Sequence, residues 1–241
     1  MPRLIFLATV AVMAASPAFA ADLPVKAPIV AAVPFSWTGC YIGGHIGVGV
    51  SEDKTTGTLG HSRDFSSTAF VGGGQIGCDY QFAPRWVVGV EGQAAWTGLK
   101  NTHAGVVRNP VTGVTVPAQF TLRNDFLASA TARLGYSIAD SWLVYAKGGA
   151  AWTNEKIDIA FVNLQGIAVD PSATMTRTGW TVGPGVEWAF APHWSSILEY
   201  NYYDFGNGGT VLTDDAHNTT VNINSLKERI HAVTVGVNYH F

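Results

Sequence analysis

The sequence predicts an all-β fold, an eight-stranded antiparallel transmembrane β-barrel. Three observations carry that expectation. From Ala232 the chain runs Ala-Val-Thr-Val-Gly-Val-Asn-Tyr-His-Phe, with Val233, Val235, Val237, Tyr239 and Phe241 on one parity and Ala232, Thr234, Gly236, Asn238 and His240 on the other. Side chains alternate across a strand, so this segment has one apolar face and one small or polar face. A turn unit of the form aromatic-x-apolar-Ala-(Pro/Asp)-x-Trp recurs at Tyr80–Trp86, Tyr136–Trp142 and Trp188–Trp194. Finally, charged residues in the strands avoid the apolar parity.

The first residues read as a targeting segment. Met1-Pro2-Arg3 is a short basic start, Leu4 to Ala15 is apolar, and Ala18-Phe19-Ala20 has the small-x-small form of a signal-peptidase site. The apolar run is shorter than the about 20 residues a spanning helix needs. Residues 1–20 are therefore expected to be a signal peptide. Residues 21–36, with three prolines and little periodicity, read as an extended periplasmic leader, and 37–241 as the barrel. Removing Arg3 leaves 13 basic against 17 acidic residues, a net charge of −4. That balance argues against a nucleic-acid partner.

Strands are expected at Trp37–Val50, Thr68–Phe82, Trp86–Lys100, Arg123–Ser137, Trp142–Trp152, Thr176–Phe190, Trp194–Asp204 and Lys227–Phe241. Each repeated unit supplies a short turn, with Pro or Asp as turn former. The connections 51–67, 101–122, 153–175 and 205–226 are long and rich in Thr, Asn and Gly. Short turns on one side and longer loops on the other are the pattern of bacterial membrane barrels. A β-propeller also repeats at a fixed period, but four strands per blade do not fit two strands per repeat.

The apolar parity defines the outward face. It carries Phe70, Ile76, Trp86, Val88, Val90, Trp96, Leu134, Trp142, Val144, Trp152, Trp180, Val182, Trp188, Trp194, Leu198 and Tyr200. Asp79, Glu91, Asp125, Arg133, Lys147, Glu187 and Glu199 all fall on the opposite parity. A charge facing lipid at the midplane costs ~2–4 kcal/mol, so a membrane barrel requires this segregation. A soluble lipocalin-like barrel would reverse it. Outward aromatics cluster near both ends of the strands, as two interfacial girdles do. Pro184, mid-strand and without a ladder donor, is expected to sit at a bulge. Charged residues make up only 13% of the chain, against a usual ~25%, which suits a wall that meets lipid at every second residue.

Trp37-Thr-Gly-Cys-Tyr-Ile-Gly-Gly44, Gly73-Gly-Gln-Ile-Gly-Cys-Asp-Tyr-Gln81 and Trp86-Val-Val-Gly-Val-Glu-Gly92, with the leader Ala21-Asp-Leu-Pro-Val-Lys-Ala-Pro28, make the chain resemble the alphaproteobacterial small outer-membrane β-barrel family. Its members are often called porin-family or outer-membrane immunogenic proteins. The resemblance spans essentially the whole mature chain. It implies the cell outer membrane, a part in envelope integrity, surface exposure and no catalytic residues to carry over. It also implies that a final aromatic, here Phe241 with Tyr239, is read by the barrel assembly machinery.

Candidate chemistry lies mainly in the inward charges. Asp79, Glu91, Arg133, Lys147, Glu187 and Glu199 are expected to form a lumen network, either a salt-bridge plug or a gated ion path. Cys40 and Cys78 share the outward parity near the turn-side ends of adjacent strands; a disulfide and a pair of reduced thiols are both open readings. Two cysteines without nearby histidines do not complete a zinc site. His61, His103 and His217 lie one in each of three loops, without metal-ligand spacing, and Asp214-Asp215 lacks the spacing of a calcium loop. His193 and Ser195 are two apart in a turn, but no carboxylate is evident to orient the histidine. Neither an enzyme nor a cofactor is expected. Lys100, Arg123, Arg177, Lys227 and Arg229 fall near the loop-side rim, where lipopolysaccharide phosphates could pair with them. Three functional readings follow: a structural envelope barrel displaying loops, a narrow porin-like channel, and a surface receptor for haem or a host molecule.

Overall fold

The computed structural model describes residues 35–55, 63–108, 113–163, 165–214 and 219–241. The expected signal peptide, the leader up to residue 34, His61, Asp215 and His217 lie outside the described residues. Eight long strands form the barrel: β1 (Gly39–Thr55), β2 (Arg63–Gln81), β3 (Trp86–Arg108), β4 (Thr115–Ala139), β5 (Trp142–Val162), β7 (Ser172–Ala191), β8 (Trp194–Asp214) and β9 (Thr219–His240). A two-residue strand, β6 (Ala168–Val169), adds to the edge of β5 in the β5–β7 connection.

Each long strand pairs antiparallel with its neighbours, in the order β4-β3-β2-β1-β9-β8-β7-β5, and a β4–β5 pairing returns the sheet to its start. At the seam β1 meets β9 from Tyr41↔His240 to Thr55↔Leu226. Closure matters because lipid offers no partner for an unpaired N–H or C=O; only a ring without edges satisfies every strand. β2 and β3 are joined through Phe82–Arg85, β4 and β5 through Asp140 and Ser141, and β7 and β8 through Pro192 and His193.

The outward face is the apolar one. Phe70, Ile76, Val90, Trp96, Leu134, Trp180, Leu198 and Val233 are all exposed. Trp86 to Trp96 and Trp142 to Trp152 are each ten residues apart on one strand. At about 3.3 Å per residue and a tilt near 40°, that spacing corresponds to an apolar band of about 25 Å. The inner girdle packs edge to face or stacked, as in Trp86–Tyr136 and Trp142–Trp188, with ring centroids 5.2 and 5.8 Å apart.

Three expectations are corrected. The strands run to between 17 and 25 residues, beyond the roughly 9–11 that cross a membrane, so most of the segments read as loops are instead the outer halves of β-hairpins. At their outer end they hold together through an apolar layer: Ala118, Ile157, Ile159 and Leu212 are buried, with Phe120, Leu122, Phe161 and Met175 packed against them. Pro184 causes no bulge. β7 keeps one register against β8 from Val182↔Tyr202 to Gly185↔Glu199, and Gly183 and Pro184 between them are simply left out of the ladder. Asp125 is exposed rather than inward. A bulge between Asn124 and Phe126 shifts the parity of β4, so that Asn124 turns in and both Asp125 and Arg123 turn out.

The topology makes a direct expectation. A short epitope inserted at 109–112 should be accessible to antibody on intact cells, whereas the same insertion between Pro192 and His193 should be reached only after the outer membrane is permeabilised. Labelling of the second insertion in intact cells would invert the orientation.

Candidate functional site

The lumen is the polar part of the molecule, and the structure brings all six of its predicted charges together. The Arg133 guanidinium on β4 is the hub. Its Nε donates to Asp79 Oδ1 at 2.7 Å, and its Nη2 reaches Asp79 Oδ2 and also Glu187 Oε2, the latter at 3.1 Å. Nη1 lies 3.9 Å from Glu91 Oε2. Lys147 Nζ on β5 donates to Glu91 Oε1 and Glu199 Oε2, both at 2.7 Å. Arg133 and Glu187 are 2% and 0% exposed. Charges this far from water persist only when paired and hydrogen-bonded.

Neutral donors complete the site. Tyr41 donates to Glu91 Oε2 at 2.7 Å and Tyr145 to Glu199 Oε1 at 2.6 Å. Their rings also flank Arg133, with the guanidinium carbon 4.9 Å and 4.8 Å from the centroids, a desolvated cation–π arrangement. Two glycines make room for these rings: a Cβ at Gly77 or Gly185 would collide with Tyr41 or Tyr145 respectively. Gln93 donates to Glu199 at 2.9 Å, and Asn238 to Glu187 at 3.1 Å. Gln75 bridges from Asn238, at 2.7 Å, to the His45 ring, at 2.6 Å. The network draws on every one of the eight long strands. Four carboxylates face the Arg133 guanidinium and the Lys147 amine, and the hydroxyl and amide donors meet the carboxylate oxygens that these two leave over.

The lumen is stratified. Below the network, Trp37, Val87, Leu143 and Ala189 form an apolar floor, packed by Phe35 and joined to the network by the Tyr145 ring. Above it lies a second apolar layer of Leu99, Leu127, Ala151, Tyr203, Phe205, Ile230 and Ala232. Higher still is an ionic cluster that the sequence reading missed. Arg177 Nη1 sits 3.2 Å from Glu155 Oε2 and 3.6 Å from Glu228 Oε2, while Nη2 donates to the carbonyls of Phe205 and Gly206. Asn124 Nδ2 donates to Glu228. The signal was present: Glu155 shares parity with Lys147, and Arg177 with Glu187, but ending β5 at Trp152 hid it. Arg177 is thus corrected from a rim cation to a buried one, 6% exposed.

The other predicted residues fall as follows. Lys100 and Arg123 face outward and are exposed, and Lys227 is half-buried. Arg229 Nε lies 3.3 Å from Asp204 Oδ2. Cys40 and Cys78 face each other directly across β1 and β2 and are joined as a disulfide on the outer wall. Tyr239 packs against Trp194 and Phe241, with centroids 5.1 and 5.5 Å apart, and the Phe241 N–H donates to the Cys40 carbonyl at 3.0 Å.

Ser195 does not pair with His193. It turns inward, donating to Glu187 Oε1 at 2.5 Å and touching His240 Nε2 at 2.9 Å. His240 Nε2 also meets Glu187 Oε1, at 3.2 Å. A single ring nitrogen thus faces both serine and carboxylate, whereas a catalytic triad needs them on opposite nitrogens.

A closed ring, apolar outside and charged within, defines an outer-membrane β-barrel. Residues 5–241 match the model of the outer membrane protein beta-barrel domain family, and the chain belongs to that family. It is similar to the 31 kDa outer-membrane immunogenic protein of Brucella melitensis, 32% identical over 252 residues, covering 98% of this chain and 99% of that one. Similarity to the 25 kDa outer-membrane immunogenic protein of Brucella abortus is 28% over 232 residues, covering 93% and 91%. Among solved structures, the Escherichia coli outer membrane protease OmpT aligns with a TM-score of 0.50 at 10% identity, over 87% of this chain and 99% of that one. That last likeness is one of fold.

Two stability expectations follow. Arg133→Ala should strand Asp79 and Glu187 and cost on the order of 3–5 kcal/mol, read as a lower urea midpoint for the heat-modifiable folded band; an unchanged midpoint would dissolve the hub. Replacing both Cys40 and Cys78 by Ser reopens a loop of 38 residues. The loss should be about 3–4 kcal/mol by loop entropy, measured in the same urea series and matched by reducing the parent.

Proposed function

We propose that this protein is a sealed structural barrel of the outer membrane, which contributes to envelope integrity and presents its outer hairpins at the cell surface. The observation that carries this reading is the stratified lumen. Three apolar layers alternate with two ionic ones, so an ion or solute would have to cross apolar and buried charged strata in turn. An eight-stranded barrel has an interior just wide enough for side chains to fill, and here they fill it. This weighs against the porin-like channel. The experiment is planar-bilayer recording on refolded protein. The parent should show no stable open state, and Arg133→Ala, which removes the hub, should be the more conductive. Steady channels from the parent would replace the sealed reading with the channel one.

Tyr239 and Phe241 serve, on this reading, as the outward aromatic pair that the assembly machinery recognises. Phe241→Ala should lower the amount of heat-modifiable protein in cells several-fold while leaving refolding in detergent near that of the parent. Equal loss in both settings would make the residue's role one of stability alone.

A further inference from the structure

On the outer wall of β3, β4 and β5, the register places Lys100 opposite Arg123 and Arg123 opposite Lys156. All three residues are exposed on the outward face. Neighbouring strands lie about 4.8 Å apart, so three cations stand in a row across the barrel. Like charges set directly opposite destabilise a sheet. Two carboxylates lie nearby. Asp158 comes within 3.9 Å of Lys156, and Asp125 is exposed at the bulge. Among the described residues, no carboxylate is in ion-pair contact with Lys100 or Arg123. The row also depends on an irregularity. In an unbroken β4, Arg123 would share the inward parity of Arg133; the bulge between Asn124 and Phe126 turns it out beside the two lysines. Bulges re-aim side chains in this way.

The same three strands carry a second feature. Immediately inside the row is the outer girdle, marked by the Trp96–Phe126 pair, with centroids 6.5 Å apart, and by Trp152. The row lies about 10 Å beyond that girdle by strand rise and tilt, at the depth of lipid headgroups. Below the girdle the large outward side chains give way to small ones. Ala94 faces Ala128, Gly92 faces Ala130, and Ala130 faces Ala150.

We infer that β3–β5 form a binding site for one molecule of the anionic glycolipid of the outer leaflet, lipopolysaccharide. Lys100, Arg123 and Lys156 hold its headgroup phosphates through charge-assisted hydrogen bonds. The acyl chains lie in the shallow groove of small residues beneath, flanked by Trp96 and Trp152. A cationic row over an apolar trough matches an amphiphile standing upright in the outer leaflet. It does not suit a second copy of this chain, whose own cation row would face the first. The site rests on the outer-membrane location and not on whether the lumen is sealed.

The test is binding of deep-rough lipopolysaccharide, and of the same lipid chemically dephosphorylated, to refolded full-length protein in zwitterionic detergent by native mass spectrometry. The parent should retain the phosphorylated lipid and bind the dephosphorylated one about tenfold or more weakly, the scale of losing charged hydrogen bonds. Lys100→Gln/Arg123→Gln/Lys156→Gln should lose affinity to the same extent while keeping the heat-modifiable gel shift. Ala130→Trp, which fills the trough, should weaken lipid binding without altering competition by inorganic phosphate. Equal binding of both lipids, or a triple variant that binds like the parent, would overturn the site. So would inorganic phosphate that occupies the row as tightly as the lipid, or cross-links between two copies through β4. Bilayer recording on the triple variant keeps the two proposals apart: its conductance should equal that of the parent, whichever value the parent has.

Discussion

The structure depends on one constraint: a strand in lipid cannot show polar side chains outward, so whatever charge it carries must be accommodated among the side chains that fill the lumen. Arg133 is where that requirement is met. It faces Asp79, Glu187 and Glu91 and lies between the Tyr41 and Tyr145 rings. Glu91 passes the connection to Lys147, and Lys147 to Glu199. Because the members come from every long strand, the network ties the ring across its diameter as well as along its hydrogen-bond ladders. A buried network of this kind does not have to add net stability over an apolar filling. Its worth lies in register: a strand that slipped by one residue would turn its charge toward lipid.

Stratification extends the same logic along the axis. Each ionic cluster is enclosed by apolar layers, which lower the local dielectric and strengthen its internal contacts while raising the cost of any member left unpaired. The upper cluster around Arg177 and the apolar layer of Ile157, Ile159 and Leu212 lie in the portions of the strands beyond the about 25 Å band. There the outer surface is no longer bound to be apolar, and the hairpins persist because their inward side chains still pack. Outward features change accordingly. Aromatic rings mark the interface, and beyond them come polar side chains and the Lys100–Arg123–Lys156 row.

Much of the barrel was legible in the chain. Period-two alternation is a local property, so the lipid face, the three short turns and the number of long strands could be read from residues such as Val233, Val235 and Val237 or Pro84 and Trp86. The inward placement of Asp79, Glu91, Lys147, Glu187 and Glu199 could be read the same way. Strand ends were less legible. Thr, Asn and Gly in 101–122 and 153–175 look like loop, and only the packing of Phe120 against Ile157 and its neighbours shows that these segments continue the sheet.

What the sequence alone determined was which side of each strand meets lipid, because burial of one face in hydrocarbon leaves its mark on every second residue. What only the tertiary structure decided was who meets whom across the lumen, and where the alternation breaks. Asp79 finds Arg133, and Lys147 finds Glu199, through the stagger and curvature of the closed ring. The bulge between Asn124 and Phe126 turns Asp125 and Arg123 outward. Alternation is set within a strand, whereas stagger and bulges are set between strands, by hydrogen-bond ladders that all have to close on one ring.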